Sequence, residues 1–104
     1  MTSRFRNIQP CHITWRGISI TVTYEANWLN MARHGAPIAH LAVEAENRQR
    51  LPFTETGYRS HFLHPDSVEA AGGPATYVLA WLDEAAGSPE WQRHVEASRQ
   101  LALF

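Results

Sequence analysis

Lysine is missing from these 104 residues, and all nine basic side chains are arginine. That bias is consistent with coding from a GC-rich genome. Ten carboxylates balance the arginines and leave a formal charge of −1, so the chain has no general attraction for nucleic acid or acidic membranes. One cysteine, Cys11, excludes an internal disulfide framework. A reducing cytosol is therefore the expected compartment. Met1–Gln9 contains Arg4 and Arg6 but not the apolar run of a signal peptide. No stretch approaches the run of about 18 apolar residues expected of a membrane span. CxxC and HExxH spacings are absent, as is a glycine-rich phosphate loop, so neither a metal nor a cofactor is expected. Repeats and low-complexity segments are absent too.

What remains is 44% apolar and 11% aromatic, the composition of a globular protein and not of a disordered one. The length suits one domain over residues 1–104, with a lead-in arm at 1–10 and a tail at 100–104. The organising stretch is Ile13 to Tyr24. Apolar and small polar residues alternate on both sides of Arg16-Gly17, which predicts two half-buried strands joined by a two-residue hairpin. This register places Trp15 opposite Ile18 and Ile13 opposite Ile20, with Val22 and Tyr24 on the same face. After Tyr24, Asn27 is expected to cap a short helical turn stopped by Gly35 and Pro37.

Ile38 to Ala45 predicts a third strand, with Ala39, Leu41, Val43 and Ala45 on one face and His40 and Glu44 on the other. A fourth strand is expected from about Tyr58, after a turn or bulge at Gly57. Ser67–Ala71 has room for one helical turn. Pro74 opens a helix with an apolar face of Tyr77, Val78, Trp81, Leu82 and Ala85, ended by Gly87. Ser88 and Pro89 start the last helix, whose inward stripe is Trp91, Val95 and Ser98. Strands followed by helices make an α+β pattern: a three- to four-stranded antiparallel sheet, hairpin first, covered on one face by two C-terminal helices.

Six histidines invite a metal reading. Cys11 and His12 are neighbours in a strand and point to opposite faces, and Pro65 argues against a helix that would align His61 with His64. The same alternation separates Ser60 from His61 as nucleophile and base. Glu55, Tyr58, Arg59 and His61 form the densest group of chemically able side chains, with Arg59 suited to an anion and Glu55 or His61 to proton exchange. The competing reading pairs Arg59 with Glu44 or Glu55 across the sheet and places Tyr58 in the core. Arginine also lies beside aromatics, Arg16 at Trp15 and Arg59 at Tyr58. Near-neutral charge favours core packing for those rings, and no direct nucleic-acid binding is expected. A homodimer through a strand edge or the uncovered sheet face is a further possibility, tested by light scattering.

The tail reads Gln100-Leu101-Ala102-Leu103-Phe104. It resembles the clamp-binding pentapeptide of bacterial replication and repair proteins, usually Gln-Leu-(Ser/Asp)-Leu-Phe. Gln100, Leu101, Leu103 and Phe104 match, and Ala102 departs at the tolerant position. The resemblance implies docking on the DNA polymerase sliding clamp. Gln100 would hydrogen-bond at the pocket rim, while Leu101 and the Leu103-Phe104 pair would fill two apolar subsites. The alternative is a tail folded back on its own sheet. Thr54 to Phe62, with Trp81-Leu82-Asp83 and Trp91, is also similar to a family of small uncharacterised proteins from proteobacterial genomes and mobile elements. That similarity implies a bacterial source and assigns no catalytic residue. The reading is therefore a cytoplasmic, non-enzymatic interaction protein, with a small enzyme or ligand-binding domain around Glu55–His61 as the alternative.

Overall fold

The computed structural model describes residues 9–29 and 38–101, with side chains placed for 10–26 and 38–100. Four strands, β1 (Gln9–Trp15), β2 (Ile18–Leu29), β3 (Ile38–Ala45) and β4 (Tyr58–Leu63), form an antiparallel meander in the order β1-β2-β3-β4. Three helices follow, α1 (Pro65–Ala71), α2 (Pro74–Ala85) and α3 (Pro89–Leu101). The architecture is the expected α+β one, strands first.

The first hairpin takes its register from its loop. Arg16 (φ 49°) and Gly17 (φ 84°) are both left-handed, the geometry of a type I′ turn whose twist matches the flanking strands. Ile13 faces Ile20 and Trp15 faces Ile18, as the alternation requires. Cys11 pairs with Val22 and shares the half-buried face, while His12 is exposed on the other.

Beyond Tyr24 the expectation of a short helical turn is corrected. β2 continues to Leu29 and pairs Glu25 with His40 and Leu29 with Ile38, with a register irregularity between them. Ladder hydrogen bonds to β3 outweigh the local capping preference of Asn27, which is therefore a strand residue and not a cap. Gly35, Pro37 and the arm at 1–8 lie outside the described residues.

The buried face of the sheet carries Trp15, Ile20, Val22, Leu41, Val43 and Ala45. Val78 and Leu82 of α2, Ala86 and Trp91 close over it. Leu51, fully buried, plugs the core from the β3–β4 connection. That connection is ordered by its own bonds: a turn of 3₁₀ helix at Glu46–Arg48, then paired Leu51–Thr54 backbone bonds of 2.9 and 3.1 Å. α1 is longer than the single turn expected, because His64 accepts the Asp66 amide at 3.1 Å and Pro65 occupies the first helical position. Ser88 Oγ accepts the Trp91 amide at 3.2 Å and starts α3 as a cap should. The inward stripe of α3 is shorter than expected. Trp91 is buried and Val95 half-buried, but Ser98 is exposed, so the packed stripe spans little more than the first two turns. Among the described residues no helix is long and apolar enough to cross a membrane.

Candidate functional site

Strand alternation on β4 divides the expected Glu55–His61 group. Val43 pairs with Arg59 and Leu41 with His61, so both lie on the helix-covered face. Tyr58 pairs with Glu44 and lies on the opposite one. Tyr58 is not a core residue: it is 38% exposed, with the Arg48 guanidinium 5.5 Å from its ring centre. Nor does Arg59 pair with Glu44, which is on the other face and binds Arg48 Nε at 2.9 Å. Glu55 is exposed and reaches Arg50 only at 4.0 Å.

Arg59 and His61 instead meet over Trp81 of α2. Arg59 Nη1 donates to the Phe53 carbonyl at 2.9 Å, and its guanidinium carbon lies 5.5 Å from the Trp81 ring centre. His61 is 4.8 Å from the same indole, and Phe53 stacks on it at 4.1 Å. Partial burial, and then the Arg59 charge, hold the His61 imidazole below its ordinary pKa. The arrangement is an aromatic shelf with one cation and one readily neutral imidazole. Beside it is a shallow depression of about 480 Å³ that includes Phe53, Glu55 and Arg59. Ser60 faces away from this shelf and hydrogen-bonds His40 Nε2 at 2.6 Å, so Ser60 and His61 point to opposite faces. Among the described residues no three of His, Cys, Asp and Glu gather closely enough to hold a metal ion.

A second concavity was not foreseen from the sequence. It lies between the hairpin turn, the start of the β3–β4 connection and α3, with a volume of about 590 Å³. Trp15 and Trp91 form its floor, 4% and 5% exposed, with ring centres 5.9 Å apart. Ile18 and Val95 extend the apolar surface, and Arg16, Arg50, Arg99 and His94 stand around it with Gln49 and Ser98. The Arg16 guanidinium carbon is 4.7 Å from the Trp15 ring centre. Trp15 Nε1 donates to Asp83 at 2.9 Å, whereas the buried Trp91 Nε1 has no acceptor among the described residues. One sequence signal pointed this way. Arg16 occupies the first left-handed position of a turn that favours asparagine, aspartate or glycine.

Of the tail residues, Gln100 is exposed in the last turn of α3, and Leu101 is the final helical residue. Leu103 and Phe104 lie outside the described residues.

No curated protein and no solved structure matches this chain. One family model does, that of the KlcB third domain, over residues 8–91. The match runs from the start of β1 to Trp91 and takes in the whole sheet, α1, α2 and the first turn of α3. The name carries no activity to transfer, but the span exceeds half of the chain, and the protein belongs to the KlcB third domain family.

Proposed function

We propose that this domain is a non-enzymatic interaction module that docks on the bacterial DNA polymerase sliding clamp through Gln100, Leu101, Leu103 and Phe104. The observation that carries the reading is the exposure of every residue from Glu96 to Gln100. These residues at the end of α3 are not among the buried core, which leaves Gln100 open to a partner. Helix ends fray at little cost, which lets Gln100 and Leu101 unwind into the extended form that a pocket-bound peptide takes. Three large apolar side chains supply roughly 1.5–3 kcal/mol each before ordering costs, which corresponds to micromolar affinity. The alternative ligand site is less well supported, because only Arg59 and His61 of its four residues meet over Trp81, while Tyr58 lies on the opposite face.

Calorimetry of the full chain against a bacterial sliding clamp tests the proposal. Micromolar binding is expected, and it is lost in the Leu103→Ala, Phe104→Ala double variant while the melting temperature is unchanged. Absence of binding, or binding that survives deletion of residues 100–104, overturns it.

A further inference from the structure

We propose that the groove between the β1–β2 turn and α3 binds an acidic peptide segment of a partner protein. An apolar side chain of the peptide rests on Ile18 and Val95 above the buried Trp15–Trp91 pair, and its carboxylates meet Arg16, Arg50 and Arg99. The groove is lined by none of Gln100, Leu101, Leu103 and Phe104 as far as the described residues go, and the inference does not rest on clamp docking.

Charge is the first argument. The protein carries a net charge of −1, yet three of its nine arginines line this one concavity and none of the described carboxylates does. Their existing ion pairs are weak: Arg50 meets Glu55 only at 4.0 Å, and Arg99 meets Glu96 at 3.7 Å with both side chains largely in solvent. A carboxylate arriving in the groove therefore displaces little and gains charge-assisted, bidentate hydrogen bonds.

The second argument is shape and chemistry. A volume of about 590 Å³ with an apolar floor and a few polar groups is the ordinary form of a binding site. The floor residues are the aromatic type that anchors interfaces, and the arginines around them are the other enriched type. Trp91 adds a buried indole N–H without an acceptor among the described residues, a group that ordinarily finds a partner.

Arg16 gives the third argument. With φ at 49° it holds a left-handed conformation that asparagine or glycine would adopt more easily. Local backbone chemistry does not call for arginine there. Its guanidinium lies over Trp15, at the wall of the groove. Strain of this kind collects where a side chain has work beyond folding.

Single-stranded nucleic acid also pairs arginine with aromatic rings, but it needs exposed ring faces on which bases stack. Trp15 and Trp91 are only 4% and 5% exposed, too little ring surface for a base to stack on. The observations therefore favour a peptide.

The test is selection of a displayed random-peptide library on the full chain, followed by titration of selected peptides into wild type, Arg16→Asn and Arg50→Gln. Selected peptides are expected to be rich in aspartate and glutamate around one or two large apolar residues. Their affinity is expected to fall roughly tenfold in each variant, the scale of one charge-assisted hydrogen bond. The Trp91 indole N–H resonance is expected to move on binding in wild type. Arg16→Asn separates binding from folding, because asparagine suits the turn and the variant melts at or above the wild-type temperature. Peptides without acidic enrichment, or binding unchanged in both variants, overturn the proposal. So does an oligothymidylate probe that binds this groove when no acidic peptide does.

Discussion

Replacing Gly57 by alanine tests a close backbone approach within the β3–β4 connection. Gly57 precedes β4 with φ at 79°, and its carbonyl accepts the Ala45 amide at 2.8 Å, tying the end of the β3–β4 connection to β3. A Cβ built there would sit 2.4 Å from the Arg48 carbonyl carbon and 2.6 Å from its Cα and oxygen, where ordinary contact begins near 3.4 Å. Those are backbone atoms, held by successive left-handed residues at Asn47 (φ 60°) and Arg48 (φ 53°), and they cannot swing away as a side chain can. The two segments must separate by about an ångström, which costs about 1–3 kcal/mol as overpacking and stretches the Ala45–Gly57 bond, worth about 1 kcal/mol. The left-handed backbone adds about 1 kcal/mol after allowing for the stiffer unfolded chain. The sum is about 4 kcal/mol, a large part of the roughly 5–15 kcal/mol available to a domain of this size.

Gly17→Ala is the internal control. Its φ is 84°, but nothing lies within 4 Å of the added carbon, so only the backbone cost of about 1 kcal/mol remains. Urea melts of both variants, fitted with a common slope, isolate the contact with Arg48 as the difference, about 3 kcal/mol. Thermal melts should show Gly57→Ala lower by roughly 20 °C, at about 4–8 °C per kcal/mol. Equal losses in the two variants would refute the close approach of residues 48 and 57.

Two further outcomes follow from the site geometry. His61 has a depressed pKa in the folded protein, from burial first and Arg59 second, so the unfolded chain takes up that proton first as pH falls. The stability contribution is fully present above the unfolded value and is lost as pH drops from there through the folded one. His61→Gln should remove that part of the pH dependence in urea melts, and Arg59→Gln should raise the His61 titration midpoint in NMR; an unchanged midpoint would show that Arg59 does not act on it. Asp83→Ala leaves the Trp15 indole N–H, now bonded at 2.9 Å, without its acceptor. A loss of about 1–3 kcal/mol is expected, largely restored by Asp83→Asn, and a neutral alanine variant would mean that solvent satisfies the indole.

Much of this fold was legible because its instructions are local. Alternation around Arg16-Gly17 set the hairpin register, since a two-residue loop permits one pairing and period two permits one inward face. The buried positions of β3, Ala39 through Ala45, followed from the same rule. Pro74, Ser88 and Pro89 marked helix starts through side-chain and ring chemistry that acts within one turn. The exposed end of α3 was only partly legible: a helical stripe can be read as Trp91, Val95, Ser98, but not the position at which its burial ends.

Tertiary structure decided the rest. On β4, alternation defined two sets, and both contained an apolar residue and a ring. Register with β3 chose Arg59, His61 and Leu63 for the helix side and left Tyr58 and Phe62 on the other, which split the expected site. Asn27 carried a capping signal that the β2–β3 ladder overrode, because cross-strand bonding over several residues outweighs one cap. The groove walled by Arg16, Arg50 and Arg99 draws on a turn, a loop and a helix that no sequence pattern links. Period and turn chemistry act over a few residues and are written along the chain. A concave site made from distant segments exists only once the core has brought them together.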